Sequence, residues 1–582
     1  MSRLFEEHLL NKPVCLDGIW RFITDRESIG AELGYMNGLP DEAVQMPVPS
    51  CWNLTLGYFG YEGTAWYETC FKATTGTVHL KFEGVGNECD VYVDGILTGS
   101  HYGAFVEFGF TVTDLLPGQH RLTVCVNNNV NMKTTLPNSI TDWYNYGGIN
   151  RSVYLYEIED VIIYDCRIDY TLDVRDRSAL MRARLSLYST CACTDELVLY
   201  LGQKEIWRKR ADLGVGACEI VTDDISLTEL ELWDVYKPNL YYIRAVIGNA
   251  DIIDRIGFRR IEVSGKDILI NRRPVTLLGI NRHEEHPDWG FSMPFELIKR
   301  DIDIIRGMNC NAVRASHYSN TKKTLDYCDE IGLLFWEEIP MWGFTPGRHA
   351  ALSEPTFIKR AENMHREMIA RDKNHPCIII WGLHNEIANE LPEGRAITER
   401  LASLVRSLDP TRLITYASMS CHLGKSPDLG FDLVDIVSLN YYIGWYNSFD
   451  SESFADMARR MRTTLSEMGI GDKPVIMSEF GAGAVRGETS LEAPRWTENY
   501  QAELLGRAIC EYLDSGEISG SYVWQFADIR SNPRNELTRP RSFNNKGVLD
   551  EYRRPKLGYE TVKRLYARYN PDSDEKTIIK LR

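Results

Sequence analysis

Two short apolar stretches that each end on a glutamate constrain this 582-residue chain the most. One runs from Ile378 to Glu386, and the other runs from Pro474 to Gly481 with Glu479 near its end. Both have the length and composition of a buried strand, and both lead directly into turn residues. A parallel (β/α)8 barrel delivers side chains to its catalytic rim in this way, at the carboxyl ends of its strands. We therefore expect both glutamates to lie at such a rim.

Two carboxyl groups in that position are what glycoside hydrolysis requires. One must stay protonated to give a proton to the leaving oxygen, and the other must be ionised to attack or stabilise the anomeric carbon. Either glutamate alone is equally well explained as an ordinary polar residue of a barrel rim. The presence of two, with Asn385 directly before Glu386, favours the catalytic interpretation.

The C-terminal part of the chain has the alternation of strands and helices that a TIM barrel needs. Between residues 269 and 582, apolar runs alternate with amphipathic segments, one of which opens at Pro294 and carries Ile298 and Ile302 at helical spacing. Eight strands over about 310 residues fit a (β/α)8 barrel. The strand candidates are Val275–Gly279, Ala312–Arg314, Leu333–Trp336, Ile378–Trp381, Leu413–Tyr416, Ile436–Leu439, Val475–Met477 and Tyr522–Trp524.

The residues before the barrel have the pattern of two β-sandwiches. Residues 1–160 contain short alternating segments separated by turn signals such as Val93-Asp94-Gly95, which predicts a jelly-roll β-sandwich. Residues 161–268 are also rich in strand candidates, and their length suits an immunoglobulin-like sandwich. We therefore expect three domains, with catalysis in the barrel over residues 269–582.

An aromatic loop from Thr141 to Ile149 lies near the end of the first predicted domain. It places Asp142 beside Trp143 and Tyr144. This composition is typical of a surface that contacts sugar, and equally of an aromatic plug between two domains. The sequence alone leaves both interpretations open.

Charge and cysteine content exclude several other classes of function. The net charge of −17 argues against nucleic acid and anionic membranes as partners, because both are approached through basic patches. The N-terminus lacks a signal-like apolar region, and no apolar run is long enough to span a bilayer, which predicts a cytoplasmic protein. The 14 cysteines are scattered, so we expect reduced thiols. No second pair complements Cys191 and Cys193, so we expect no metal site and no cofactor.

Aromatic, amide and carboxylate side chains recur after the predicted barrel strands. Sugar rings present CH faces that stack on aromatic side chains, and hydroxyl groups that need polar partners. A rim that carries this whole set predicts a sugar pocket. The segments are Asn281–Glu284, Ser316–Tyr318, Glu337–Glu338, Asn385–Glu386, Asn440–Tyr446, Glu479 and Trp524–Asp528.

The chain resembles glycoside hydrolase family 2 over essentially its whole length, and within it the bacterial β-glucuronidases. The resemblance rests on three motifs, which are Asn281–Glu284, Arg371–Glu386 and Ser478–Gly481. It implies that Glu386 is the acid/base and Glu479 the nucleophile of a retaining, double-displacement mechanism. For that mechanism we expect the two carboxyl groups to lie within about 5.5 Å of each other.

The substrate that the resemblance implies depends on Asn544 and Lys546. These residues match the Asn-x-Lys motif with which β-glucuronidases hold the C6 carboxylate of the sugar. An ammonium and an amide near a carboxylate form charge-assisted hydrogen bonds that a neutral hexose cannot return. The resemblance therefore implies hydrolysis of β-D-glucuronides to glucuronate and an aglycone, and rejection of glucosides and galactosides.

Six further site residues are implied by the same family, one position at a time. Asp142 and His317 match residues that contact the sugar, although a purely structural role for His317 at the rim stays open. Asn385 matches the residue that bonds the 2-hydroxyl. The remaining three are Tyr442 beside the nucleophile, Tyr446 near the sugar carboxylate, and Trp524 as an aromatic wall.

Two departures from the family pattern concern the rim of the pocket. Pro540 stands where the family usually has an arginine four positions before the motif, so Arg539 or Arg541 is the candidate substitute. Discrimination at C4 of the sugar is open for this reason. The long loop that follows the third strand in some relatives is missing, because residues 343–348 soon give way to helical sequence. We therefore expect an open aglycone side.

Three alternatives stand beside the β-glucuronidase interpretation. A β-galacturonidase would use the same carboxylate clamp and the same two glutamates. A β-galactosidase is disfavoured by the Asn-x-Lys motif, and would usually need a metal site. A non-catalytic glycan-binding protein would be expected to lack one of the glutamates, whereas both are present. By resemblance the chain is expected to form a homo-oligomer, either a tetramer or a dimer.

Overall fold

The computed structural model of the chain describes residues 3–343, 349–419, 428–446, 452–533 and 539–570. Within these residues the chain forms two β-sandwiches, followed by a closed eight-stranded barrel with helices between its strands. The sequence predicted this architecture and this order.

The first sandwich consists of a four-stranded sheet, a six-stranded sheet and a short two-stranded sheet. Its strands are β1 Val14–Cys15, β2 Gly18–Asp25, β3 Val44–Val48, β4 Thr64–Ala73, β5 Val78–Phe82, β6 Val85–Gly86, β7 Glu88–Val93, β8 Ile96–Tyr102, β9 Phe108–Val112, β10 Gly118–Asn127, β11 Gly148–Ile149 and β12 Val153–Glu157. The sheet orders are β1-β12-β5-β9, β3-β2-β4-β10-β7-β8 and β11-β6. In β10, Leu122, Val124 and Val126 are all buried, because alternate side chains of a strand share one face. They join a core that includes Trp20 and Phe22.

The second sandwich follows without a break and has the immunoglobulin-like form of two packed sheets. Its strands are β13 Val161–Asp173, β14 Ser178–Ser189, β15 Cys193–Leu201, β16 Lys204–Leu213, β17 Gly216–Val221, β18 Ile225–Leu227, β19 Tyr241–Ile247 and β20 Ala250–Ile256. One sheet has the order β13-β14-β17 with β18 also paired to β14, and the other has the order β16-β15-β19-β20. The strands enclose a separate core that includes Leu185, Leu199 and Ala245.

The barrel contains eight parallel strands in sequence order, closed by pairing of the first with the last. They are β24 Leu277–Arg282, β25 Ala312–Ala315, β26 Leu334–Glu338, β27 Ile378–Asn385, β28 Leu413–Ser418, β29 Val437–Asn440, β30 Val475–Phe480 and β31 Gly520–Val523. Most of them extend beyond their predicted ends, because backbone pairing continues after the side chains have become polar. As a result Arg282, Glu338 and Glu479 lie within strands, which fixes their direction.

Helices join the barrel strands on the outside. Those in the described ranges are α1 Phe295–Gly307, α2 Lys322–Ile331, α3 Pro355–Asp372, α4 Pro392–Leu408, α5 Phe454–Glu467, α6 Glu498–Asp514 and α7 Leu557–Tyr569. The helix predicted after Pro294 is α1, and its Ile298, Ile302 and Ile305 are buried at helical spacing. None of the helices in these ranges is long and apolar enough to cross a membrane.

Two small sheets complete the chain. Strands β21 Ile261–Ser264, β22 Asp267–Ile270 and β23 Arg273–Pro274 connect the second sandwich to the barrel. The predicted boundary at 268/269 falls inside β22, whereas the one at 160/161 falls between β12 and β13, and both boundaries stay predictions. Strands β32 Ile529–Arg530 and β33 Phe543–Asn544 pair after the last barrel strand. That pairing ties the segment around Asn544 to the residues that follow β31.

Candidate active site

A cavity of about 430 Å³ lies where the barrel strands end. Most of its wall comes from strand ends of the barrel, one residue comes from the first sandwich, and two come from the segment after the last strand. The lining residues are Asp142, His317, Trp342, Glu386, Met419, Asn440, Tyr442, Tyr446, Glu479, Trp524, Arg539 and Lys546. Its volume is that of a small-molecule site.

Glu479 is held on both of its carboxylate oxygens. Arg314, buried in β25, donates from Nη1 to Oε1 at 2.7 Å, and the Tyr442 hydroxyl donates to Oε2 at 2.7 Å. The glutamate itself is only 3 % exposed. One donor from β25 and one from the segment after β29 therefore fix the direction of the carboxylate, as a nucleophile would require.

Glu386 has a different environment, directly after the end of β27. It makes one side-chain hydrogen bond, in which Asn440 Nδ2 donates to Oε1 at 2.7 Å. Burial, together with the nearby charge of Glu479, raises the pKa of Glu386 to about 8. A carboxyl group with such a pKa is protonated at neutral pH and able to act as a general acid.

The backbone at Glu386 is also unusual, since its φ is +54°. A residue other than glycine in this left-handed region costs about 1–3 kcal/mol. Its amide N–H donates to the Ala417 carbonyl at 2.8 Å, which holds the conformation. The strained turn directs the carboxyl group into the cavity rather than along the strand.

Asn440 connects the two glutamates. Its side chain donates to Glu386, and its backbone is in register with Glu479 across the β29–β30 pair. Ser478 donates its hydroxyl to Asn440 Oδ1 at 2.8 Å, which fixes the direction of the amide. The carboxyl groups therefore face one cavity across a single bridging residue. The predicted separation of their oxygens stays a prediction.

Arg314 organises the floor beneath this pair. In addition to Glu479 it donates to both oxygens of Glu338 at 2.9 and 3.0 Å, and to Asn385 Oδ1 at 2.6 Å. Glu338 also accepts from His317 Nδ1 at 2.7 Å. Burial lowers the pKa of His317 to about 3, so the ring is neutral, with the Nδ1 proton directed to the carboxylate and Nε2 left as an acceptor.

The opposite end of the cavity carries the positive charge. Lys546 donates from Nζ to the Tyr446 hydroxyl at 2.9 Å, and its ammonium lies 5.5 Å from the centre of the Tyr442 ring. Arg539 donates from Nη2 to both oxygens of Asp142 at 2.6 Å, and Asn544 donates to Asp142 at 3.1 Å. Burial alone would raise the pKa of Asp142, but Arg539 and Lys546 lower it.

The predicted site residues come together, with two qualifications. Asn385 and Asn544 do not line the cavity but lie directly behind it, 1 % and 0 % exposed. Asn385 Oδ1 accepts from Arg314 and Asn440, while its Nδ2 has no hydrogen-bond partner among the described residues. The roles of the ten predicted site residues stay predictions.

Some residues of the site were not predicted. Trp342 and Met419 line the cavity, and Arg314 lies beneath it. Arg314 had a recognisable signal, because a charged residue inside an apolar barrel strand must have a buried partner. Trp342 and Met419 lie in connections after strands, where the sequence pattern carries no such signal.

The structure distinguishes between the two candidate arginines beside Pro540. Arg539 lines the cavity and pairs with Asp142, whereas Arg541 pairs with Glu551 at 2.9 Å and has a side chain that is 47 % exposed. Arg539 is therefore the arginine at the pocket. The predicted short loop after the third strand covers Phe344–Arg348, which lie outside the described residues.

The aromatic loop of the first sandwich was interpreted either as a plug between domains or as a surface that contacts sugar. Different residues of the loop fit each interpretation. Trp143, Tyr144 and Tyr146 are buried in a cluster with Phe291 and other aromatic residues of the barrel, as an inter-domain plug. Asp142 instead reaches the cavity. The plug thus positions a carboxylate of the first sandwich in the pocket of the barrel.

Comparison with known proteins agrees with this geometry. The model of the glycosyl hydrolases family 2 TIM barrel domain matches residues 261–570, and that of the family 2 sugar binding domain matches residues 14–159. The chain is 28% identical to a β-glucuronidase from Paenibacillus borealis, with 95% of this chain and 96% of that protein covered.

The chain is also similar to solved structures over nearly its whole length. A β-galacturonidase from Eisenbergiella tayi bound to galacturonate is 33% identical with a TM-score of 0.89, over 97% of this chain and 99% of that one. A β-glucuronidase from Ruminococcus gnavus in complex with uronic isofagomine is 26% identical with a TM-score of 0.85, over 97% and 98% of the two chains.

Proposed function

The chain belongs to glycosyl hydrolase family 2, and on this basis we propose that it hydrolyses β-D-glucuronides to glucuronate and a free aglycone. The observation that carries the proposal is the presence of Lys546 in the same cavity as Glu386 and Glu479. Two carboxyl groups supply the chemistry of a glycosidase, and a buried ammonium selects a sugar that bears a carboxylate. The β-glucuronidases to which the chain is similar support the same substrate class.

In the first step the sugar carboxylate is seated by Lys546, with Asn544 behind it. A Glu479 oxygen attacks the anomeric carbon, and the bond from that carbon to the aglycone oxygen breaks. Glu386 transfers its proton to the departing oxygen. The products of this step are a glycosyl ester on Glu479 and a neutral aglycone, with Glu386 now ionised.

In the second step the ionised Glu386 takes a proton from water. The resulting hydroxide attacks the same carbon and releases Glu479 as a carboxylate. Glucuronate leaves with the β configuration retained, because the carbon has been inverted twice. Arg314 and Tyr442, which bond the two oxygens of Glu479, stabilise the carboxylate each time it leaves.

Hydrolysis of β-D-galacturonides is the second candidate function. The chain is more similar in sequence to the Eisenbergiella tayi β-galacturonidase, at 33%, than to the Ruminococcus gnavus β-glucuronidase, at 26%. The two sugars differ only in the configuration at C4, and both carry the carboxylate that Lys546 would bind. Arg539, which pairs with Asp142, is the candidate substitute for the arginine that the family usually has where Pro540 stands, so discrimination at C4 depends on it.

A panel of 4-nitrophenyl glycosides tests the proposal and separates the candidates. We expect the highest kcat/KM with the β-D-glucuronide and a lower value with the β-D-galacturonide. For the β-D-glucoside and β-D-galactoside we expect kcat/KM to be at least about 10²-fold below that of the glucuronide, because their 6-hydroxymethyl group cannot pair with the ammonium. A higher value for the galacturonide would favour the second candidate. Comparable values for the neutral glycosides would reject both.

A further inference from the structure

A second cavity, of about 310 Å³, lies between the first sandwich and the barrel. The sandwich side includes Glu83 and Arg151, and the barrel side includes Trp289, Phe295 and Lys323. None of its lining residues belongs to the active-site cavity. Its occupant, if it has one, would therefore bind without entering the catalytic pocket.

Positive charge in this cavity is only partly neutralised. Lys322 pairs with Glu107 at 3.0 Å, but its neighbour Lys323 makes no hydrogen bond or ion pair with any described residue. Arg151 is 7% exposed, and two backbone carbonyls accept from its Nη atoms at 2.5 and 3.0 Å. Its nearest carboxylate oxygen, from Glu284, is 3.6 Å away, and its Nε has no partner among the described residues.

The charge of Arg151 is only partly balanced by its neighbours, since Glu284 lies 3.6 Å away and the like charge of Arg371 lies nearby. Burial is the main reason that its pKa is lowered, Glu284 acts against this effect, and Arg371 nearby lowers the pKa further. A buried guanidinium is stabilised when an anion lies beside it. Helix α1 also begins at the cavity wall, and the N–H groups at the start of a helix favour negative charge. At the start of α2, Glu284 already accepts from the Thr321 N–H.

The remaining wall is suited to a hydroxylated ring. Trp289 is 46% exposed and lines the cavity together with Phe295 and Phe291. The CH face of a sugar packs on such a surface. Glu83 lines the same cavity and, like Lys323, makes no side-chain hydrogen bond or ion pair with any described residue. Its carboxyl group is therefore free to bond a hydroxyl group.

We propose that this cavity is a second, non-catalytic binding site for a hexuronate, with the carboxylate near Lys323 and Arg151, the ring on Trp289 and a hydroxyl group on Glu83. The choice of a uronate over other hydroxylated carboxylates rests on the proposed function, while the preference for an anionic ring compound rests on the cavity itself. The free sugar acid and the terminal unit of an oligosaccharide share this chemistry, and the titrations below distinguish them.

Calorimetric titration of the full chain with sodium glucuronate tests the site. We expect two sites in the wild type, of which Lys546→Ala removes the active-site one and Lys323→Ala weakens the second at least about tenfold, as loss of a charge-assisted hydrogen bond predicts. Lys299→Ala is the matched control, since Lys299 lies on α1 and pairs with Asp303 on the surface. It should leave both sites unchanged.

These experiments distinguish a failure of the proposed hydrolysis from a failure of the proposed second site. Lys323→Ala and Trp289→Ala should hydrolyse 4-nitrophenyl β-D-glucuronide as the wild type does, which also shows that the variants fold. A single site in the wild type, or a second site whose affinity is unchanged in Lys323→Ala, would overturn the second site even if hydrolysis is confirmed. Lack of hydrolysis with Lys323-dependent binding retained would instead refute only the proposed function.

Three further titrations of Lys546→Ala identify the ligand class. Glucose has the ring without the carboxylate, gluconate has the carboxylate without the ring, and inorganic phosphate has only charge. We expect each to bind more weakly than glucuronate. Equal binding of gluconate or phosphate would refute a sugar-ring site, and equal binding of glucose would refute the role of Lys323. A glucuronate-terminated disaccharide that binds more tightly than glucuronate would identify an oligosaccharide end as the ligand.

The pH dependence of binding gives an independent test through Glu83. Burial raises the pKa of Glu83 to about 7, partly offset by Lys81, Lys322 and Lys323 and reinforced by Glu107. Below that pH the carboxyl group is neutral, and above it the ionised group repels a bound carboxylate. Binding should weaken between pH 6 and pH 8, and Glu83→Gln should abolish this change. The same pH dependence in Glu83→Gln would contradict the assigned position of the ligand.

Discussion

The two ends of the active-site pocket are built from different parts of the chain. The catalytic end consists of Arg314, Glu386 and Glu479, which lie in or directly after barrel strands and bond to other strand residues. The binding end joins Asp142 of the first sandwich to Arg539 and Lys546, which follow the last barrel strand. One end is part of the barrel scaffold, and the other is an assembly of connecting segments from two domains.

This difference separates the reaction from the choice of substrate. Strands of a closed barrel hold side chains rigidly, so they suit groups whose geometry must not change between substrates. Connecting segments vary more readily and are where barrel enzymes adjust specificity. We therefore expect substitutions at the catalytic end to affect different sugars alike when the leaving group is the same, and substitutions at the binding end to change the preference between sugars.

The largest expected effect comes from Glu479→Ala. Without the nucleophile no glycosyl ester forms, so kcat for 4-nitrophenyl β-D-glucuronide should fall by about 10⁴-fold or more. The loss should be equally large for the β-D-galacturonide, because Glu479 contacts neither C4 nor C6 in the proposed mechanism. Initial rates with both substrates measure this, with the thermal unfolding midpoint as a check on folding. Substantial activity with either substrate would refute the assignment.

Glu386→Ala should cause a smaller loss that depends on the leaving group. A general acid contributes about 10²–10⁴-fold, and mainly where the leaving oxygen is basic. The loss should therefore be large for an alkyl β-D-glucuronide and much smaller for the 2,4-dinitrophenyl glucuronide, whose leaving group needs no proton. Steady-state rates with both substrates give the comparison. An equal loss with both substrates would show that Glu386 is not the general acid.

Lys546→Ala tests whether the binding end acts on substrate choice. Loss of one charge-assisted hydrogen bond corresponds to about 10–150-fold in kcat/KM for a uronide. The 4-nitrophenyl β-D-glucoside cannot make that bond, so its low kcat/KM should stay unchanged or rise. An equal fall for both substrates would mean that Lys546 supports the fold of the pocket and that the two ends are not separate.

The pH profile of kcat/KM reports on the catalytic end alone. Glu386 must be protonated to act as the acid, and its pKa in the empty pocket is raised to about 8. As pH rises above that value the protonated fraction falls, so kcat/KM should decrease about tenfold per pH unit above pH 8. The falling limb should be the same for glucuronide and galacturonide, and absent in Glu386→Ala. If the falling limb differs between the two sugars, it is caused by a group other than Glu386.

The same division explains how far the sequence predicts this site. The eight barrel strands, Glu386 and Glu479 were predictable because apolar runs that end on polar residues mark strand ends. Most of the strand ends were placed too early, since hydrogen bonding between parallel strands continues through polar residues such as Glu338. Arg314 was recognisable in principle as a charge within an apolar strand.

The binding end was less predictable for a physical reason. Arg539 lies at the pocket because it pairs with Asp142, which is 397 positions away in the chain. Such a contact depends on how two domains pack and on an irregular segment, neither of which follows from local periodicity. Arg541, two positions later, points to Glu551 instead. Nothing in the local sequence distinguishes the two arginines.

Arg539→Ala, with Arg541→Ala as its matched control, gives the smallest and most specific expected effect. Without Arg539, Asp142 loses its bidentate partner and keeps the hydrogen bond from Asn544, so its carboxylate is held less firmly beside the sugar. We expect the ratio of kcat/KM for glucuronide and galacturonide to change about three- to tenfold, which corresponds to a modest loss of one interaction. Arg541→Ala should leave the ratio unchanged, because its side chain is on the surface.

A ratio that is unaltered by Arg539→Ala while both rates fall together would move this arginine from substrate choice to general support of the pocket. An equal change in both variants would show that the whole segment 539–546, and not the ion pair with Asp142, sets the preference at C4.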